Sequence, residues 1–469
     1  AGDLIAVLDP WRPIAARWRT RGRRRVRHRD LRGLFVTSSQ ARARARDRLH
    51  DVLVPRRAGS RAPAPSAPDE ARPLISSPAV WGTFLIAGLA ATAARTLPGS
   101  LDAGLTAGFH GGQLRPLSSD AAALWHSWWD GWVGSGLGVA GPGAPGSGIL
   151  ALLTWLFQAL PGEAGPNPAG RVIGLLMMAS LPLAALITYA AARVATERRL
   201  PRAVVALLWV VNPVAVAALA QGRLGPLAAL VALPIVLAGV VSMTRPAVRP
   251  GVMAMTALAT AGLATVLPGT LALAGALTLG LLLAGGRVAR VRAIGFLPLV
   301  ALAAAPTLLR LREQPAGLLS GWGGLASEAT PPPWQLALLH AGPTTPDGSA
   351  LAGPGDYRVW LAVPVLVLGV LGLARPTRRP GLAAASALIA LGGLALALAS
   401  PHLQVGTAAD GTSLTPWPGI GLLVVVAGLL GAGLLAMDDP APATGRVGHP
   451  VTPGSAWRVP AVVVAGLGG

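Results

Sequence analysis

From residue 78 onward the chain alternates long apolar runs with short polar turns. Runs of spanning length fall at 78–97, 169–193, 203–220, 224–243, 250–267, 269–286, 293–309, 358–374, 381–400 and 418–437. Each is longer than the roughly 10 residues of a membrane strand and lacks polar alternation, so helices are predicted. The expected fold is an all-α polytopic integral membrane helical bundle of about ten transmembrane helices. Two long connections, 98–168 and 311–357, are expected as extended outer segments folded against it. Inside the first, an apolar stretch at 149–160 is too short to cross and suits an interfacial or re-entrant helix.

Composition supports this pattern. Hydrophobic residues make up 52% of the chain and charged residues only 12%, about half the share of a soluble domain. There is no cysteine, which excludes disulfides, thiolate catalysis and cysteine-ligated metals. Every basic side chain apart from histidine is arginine, so the formal charge of +20 records where arginines sit.

More than half of that charge lies ahead of the first run. Residues 1–75 hold 18 arginines against seven acids. The stretch RWRTRGRRRVRHRD could hold nucleic-acid phosphates or lie on anionic lipid. The apolar run that follows favours lipid, and no nucleic-acid-binding motif accompanies it, so no nucleic-acid partner is expected. The chain divides into a basic cytoplasmic juxtamembrane region (1–58), a Pro/Ser-rich linker (59–77), the membrane domain (78–437) and a cytoplasmic connection with a truncated final helix (438–469). The opening at Ala1 and the short closing run from Val459 lead us to expect a piece of a larger protein.

Internal arginines test the topology. Arg193, Arg198, Arg199 and Arg202 fall in one turn, Arg245 and Arg249 in another, then Arg287, Arg290 and Arg292, then Arg375, Arg378 and Arg379. With a cytoplasmic amino-terminal region, all four turns lie inside, as the positive-inside bias requires. Arg310 and Arg312 are the exceptions, at the start of a long outer segment. A multi-pass plasma-membrane location is expected.

Candidate chemistry is sparse. In SSDAAALWHSWWDGWVGSGLG, Trp125, Trp128, Trp129 and Trp132 stand at i, i+3, i+4 and i+7, one face of a helix. Such a face is an interfacial anchor, or a stacking platform for a sugar ring or polyprenyl carrier, or both. Asp120 is a helix cap or a general base; His126 and Asp130, four apart, form a solvated pair or two ligands of a metal. Arg310 and Arg312 are headgroup partners or a grip on the phosphate of a lipid-linked donor. Asn212 and Pro213 interrupt the third run, and a kink is expected there. No Walker loop, dinucleotide fingerprint, serine-hydrolase elbow or HExxH motif occurs.

Three elements carry a resemblance: RHRDLRGLFV in the basic region, SSDAAALWHSWWDGWVGSGLG with its proline and glycine turn, and NPVAVAALAQGRLG at 212–225. Together they resemble the membrane portion of large actinobacterial family 2 glycosyltransferases of cell-envelope polysaccharide assembly. The resemblance implies a cytoplasmic catalytic domain upstream, which binds the nucleotide-sugar donor and would hold any divalent metal; this chain itself is expected to carry no cofactor. The implied reaction moves sugar from an activated donor to a lipid-linked or envelope acceptor. On that reading the piece alone is inactive, anchors the enzyme in membrane lipid and binds a polyprenyl-linked or envelope glycan. Two alternatives remain from the residues: a transferase within the membrane that uses a polyprenyl-phosphate sugar with Asp120 or Asp130 as base, and a non-enzymatic transporter or flippase of a lipid-linked glycan.

Overall fold

A computed structural model describes residues 82, 88, 114, 120–129, 132–133, 139–140, 146–159, 167–245, 250–313, 315–319, 321, 324–326, 331–342, 360–375, 377, 379–407 and 413–438. The basic region, the linker, nearly all of the first apolar run, Asp130 and the last segment lie outside the described residues.

The fold is mostly helical. Two short helices, α1 (Ala121–Trp129) and α2 (Ser147–Gln158), precede α3 (Pro168–Ala191), α4 (Arg199–Val210), α5 (Pro213–Ala220) and α6 (Leu224–Met243). Then come α7 (Pro250–Val266), α8 (Thr270–Ala284), α9 (Arg287–Ala303), α10 (Ala305–Glu313), the one-turn α11 (Pro333–Ala337), α12 (Ala362–Ala374), α13 (Pro380–Ala399) and α14 (Gly419–Asp438). Every apolar run predicted from 169 onward falls on a helix.

Length separates those helices into two groups. Four are long and apolar enough to cross a membrane: Pro168–Val194, Leu224–Met243, Pro380–His402 and Gly419–Asp438. Two bent pairs raise the number to six if each is one span: α4 with α5, bent by 42°, and α9 with α10, bent by 76°. Four shorter apolar helices remain, the shortest being the 12-residue α2 and the 13-residue α12. At 1.5 Å per residue α12 covers about 20 Å, short of a hydrocarbon core of about 30 Å. The described helices therefore supply four to six candidate spans where the apolar runs led us to expect about ten.

The centre of the bundle is α14, where 72% of the most apolar window is buried, against 22% for α13. It packs against α12, α13 and α4, while α6 joins α3 to α7 and α9 packs on both α7 and α8. Backbones meet closely at glycine. A Cβ on Gly421 would stand 2.6 Å from the Gly393 carbonyl oxygen and the Ala397 nitrogen, and one on Gly372 would stand 2.5 Å from the Gly433 nitrogen. Small residues let membrane helices gain dispersion contacts that solvent exclusion does not supply in lipid.

One end of the bundle gathers the arginines. Arg198 Nη1 donates to the Met437 carbonyl (3.3 Å), Arg379 Nη1 to Ala195 (3.1 Å) and Arg292 Nη1 to Met243 (3.1 Å). Arg245 donates to the Val194 carbonyl and Arg292 also to that of Arg245. These carbonyls belong to helix carboxyl ends and adjoining turns, where the last backbone acceptors have no partner within the helix and the dipole favours a cation. Arginines from all four predicted inner turns are thus joined at one end.

The opposite end carries short strands. A hairpin pairs β1 (Trp132–Val133) with β2 (Val139–Ala140), Trp132 opposite Ala140. A second small sheet has the order β3-β5-β4, with β3 (Leu325–Ala326), β4 (Gly406–Thr407) and β5 (Ser413–Pro416) all antiparallel. It ties the second long connection to the α13–α14 link, and Gln335, Leu336, Leu339 and His340 beyond β3 are buried.

Candidate functional site: an aromatic plate and a buried arginine

Helix α1 begins at Asp120, whose Oδ1 accepts the Ala122 amide (3.1 Å) and whose carbonyl accepts that of Leu124 (3.1 Å). Asp120 is exposed, and its carboxylate is engaged as a cap. Leu124 turns into the core with Trp128 one turn on from it, Trp125 packs half-buried against the core, and Trp129 is exposed. Their rings form a stepped cluster, here called the plate: Trp125 lies 5.0 Å from Trp128, tilted by 51°, and 6.4 Å from Trp129, the latter pair nearly parallel at 5°. Trp129 remains 71% exposed, so the plate has an open side.

The helix stops at Trp129, which alters the expected stripe of four. Trp132 belongs to β1, because the glycine-rich sequence after Asp130 is a poor helix former. The further indole comes instead from α2: Trp155 stands 5.5 Å from Trp125. Gly148, also on α2, makes room for Trp128, since a Cβ there would stand 2.9 Å from the ring. Asp130 lies outside the described residues, and His126 is exposed.

Arg310 joins the plate from a distant part of the chain. Its guanidinium carbon lies 5.6 Å from the Trp128 ring centroid, and it donates to the Trp128 carbonyl. The bend between α9 and α10 brings it there, with Thr307 buried on the same short helix. Arg312 is exposed and two residues on, a spacing that points side chains to different sides of a helix.

A second constellation lies at the same end, and its sequence mark is the break at Asn212 and Pro213. Asn212 caps α5, its Oδ1 accepting the Ala215 amide (2.9 Å) while Nδ2 donates to the Trp209 carbonyl (2.6 Å). With Pro213 in the first helical position, this makes the expected break between α4 and α5. Helix α5 is closed off by Gly222, φ +65°, after which the Arg223 amide reaches back to the Ala218 carbonyl (2.8 Å). The turn folds Arg223 inward: it is 0% exposed, its Nε donates to Gln221 Oε1, and its guanidinium carbon lies 4.6 Å from the Trp417 ring.

Trp417 and His340 are also buried. Leu339, at φ 61°, holds a backbone conformation costly for a side chain of its size, and the His340 amide then meets the Gln335 carbonyl at 2.8 Å. The QGR turn was readable only as a connection, because the partner of Arg223 lies almost two hundred residues away. Among the described residues no three of His, Asp and Glu come together as a metal ligand set.

Comparison with family models, curated proteins and solved structures finds no match to this chain.

Proposed function

We propose that the chain is the membrane portion of a glycosyltransferase that moves sugar from an activated donor to a lipid-linked or cell-envelope acceptor. On this reading the plate of Trp125, Trp128, Trp129 and Trp155, with Arg310 over Trp128, contacts the glycan carrier. Indole faces stack on sugar rings, and a guanidinium at their edge attracts the carrier's phosphate. The observation that carries the reading is Arg310 against Trp128, a cation fixed beside an aromatic surface with an exposed member.

The remaining parts follow from the sequence resemblance. A nucleotide-sugar-binding domain attached through the basic amino-terminal region supplies the transfer chemistry, and any divalent metal belongs to it. The arginine end faces the cytoplasm of a plasma membrane, the plate faces outward, and the shorter apolar helices complete about ten passes with help from their neighbours. Epitope tags after Arg199 and Arg379 should then resist external protease, while one near Gly146 should be cut; the reverse pattern overturns the orientation.

The test of the contact is photolabelling in vesicles with a polyprenyl-phosphate sugar bearing a photoreactive group on the sugar. Label should concentrate on peptides of α1, α2 and α10, and Arg310→Gln with Trp129→Ala should reduce it by about tenfold, the loss of one charge-assisted and one stacking contact. Undiminished labelling in the double variant overturns the assignment.

One observation favours a second reading, a non-enzymatic carrier of a lipid-linked glycan. The broken α4–α5 segment places the fully buried Arg223 at its end, and broken helices with buried charge line substrate routes in transporters. Movement of a fluorescent lipid-linked sugar across vesicles containing this chain alone supports that reading over the first.

A further inference from the structure

At the arginine end a cavity of about 180 Å3 opens among α3, α4, α6, α13 and α14. Its walls are almost wholly apolar, with Trp209, Leu237, Ile389 and Leu430 among the larger residues. Ala385 on α13 lines it and is exposed, so the cavity reaches the bundle's outer surface on that side. The apolar part suits a hydrocarbon chain.

Two further observations say what kind of chain. Val194 and Ala195 line the cavity, and their carbonyls receive Arg245 and Arg379. Two guanidiniums therefore stand at its rim. Arg379 is exposed, and one carbonyl accounts for only one of the five N–H donors of its fork. Against Arg198, Arg245, Arg292 and Arg379, the described acids of this end are Glu197 and Asp438, so the rim is cationic. Thr188 lines the cavity, and its buried hydroxyl has no hydrogen-bond partner among the described residues. An orphaned buried hydroxyl is costly, and an occupant with an acceptor oxygen removes that cost.

We infer that this cavity takes one acyl chain of an anionic phospholipid, with the lipid phosphate on the Arg245 and Arg379 rim and an ester oxygen accepting from Thr188. Bidentate guanidinium contacts to phosphate are strong where both groups are partly desolvated. The site is separate from the aromatic plate, which lies at the other end of the bundle. Its failure leaves the proposed glycan contact untouched.

The experiment is native mass spectrometry of the full chain, stripped of lipid in detergent and titrated with phosphatidylglycerol or phosphatidylcholine of matched chains. One phosphatidylglycerol should remain bound with at least about tenfold preference, the discrimination expected of a charge-assisted contact. Arg379→Gln should remove most of that preference. Ala385→Phe, which fills the open side without touching charge, should lower retention of both lipids; Leu382→Trp does the same from a half-buried position if the first variant fails to fold. Equal retention of the two lipids overturns the proposal. So does full retention in both filled variants, which means surface adsorption, and so does preferential retention of an isoprenyl phosphate.

Discussion

Gly392 and Gly393 are neighbours on α13, and replacing each in turn with alanine isolates the effect of close helix approach. A Cβ at Gly392 meets nothing within 4 Å, whereas one at Gly393 stands 2.7 Å from the Gly421 carbonyl oxygen and from the Val425 nitrogen on α14. Ordinary contact begins near 3.4 Å, so α13 must move away from α14 by about 0.7 Å, against backbone that has no rotamer to adopt. Both substitutions gain about 1 kcal/mol of helix propensity, which cancels in their difference. Overpacking adds a penalty of about 1 to 3 kcal/mol at Gly393 alone. Gly392→Ala should therefore be neutral or stabilising, and Gly393→Ala should be less stable than it by about 1 to 3 kcal/mol. Reversible unfolding in mixed micelles, titrated with sodium dodecyl sulfate and followed by tryptophan emission, measures both. Equal midpoints for the two variants would refute the backbone contact between α13 and α14, and with it the central place of α14.

Further outcomes follow from the two constellations at the strand-bearing end. Asn212→Ala removes the α5 cap and the bond to the Trp209 carbonyl, and should cost about 1 to 2 kcal/mol in the same unfolding assay. Trp417→Leu removes the aromatic partner of the buried Arg223 and should cost about 2 kcal/mol or more, with Trp417→Phe recovering part; identical losses for Leu and Phe would deny the cation–π contact. Asp120→Asn preserves a capping oxygen and should leave both stability and glycan photolabelling unchanged, while a selective loss of transfer in that variant would restore its role as a base. Gly148→Val intrudes on Trp128 and should shift tryptophan emission and weaken photolabelling without unfolding the bundle.

Much of the helical layout was legible because a long, uniformly apolar segment makes a simple demand. A segment that hides its backbone bonds and shows apolar side chains all round is a helix wherever it lies, and the run at 224–243 coincides with α6. The break at Asn212 was equally local, since a capping residue followed by proline carries its own instruction. Length was less faithful. Of the run at 358–374, the longest described helix is the 13-residue α12, and the aromatic stripe loses Trp132 because the α1 helix ends before its period is completed. What sequence could not reveal were the partners. Arg310 finds Trp128 across 182 positions, and Arg223 finds Trp417 through a turn whose own composition is bland. Such pairings depend on how helices pack, which hydropathy leaves open.

The arginine end has a consequence for the order in which the protein is completed. The carboxyl end of α3 receives hydrogen bonds from Arg245 and from Arg379, residues made roughly 50 and 180 positions later. Arg198, made early, waits for Met437 near the end of α14. In an emerging chain the Val194 and Ala195 carbonyls therefore wait for Arg245 and then Arg379, and Arg198 stays without the Met437 carbonyl until α14 is complete. Truncation before α14 should leave that end loosely closed and open to proteolysis.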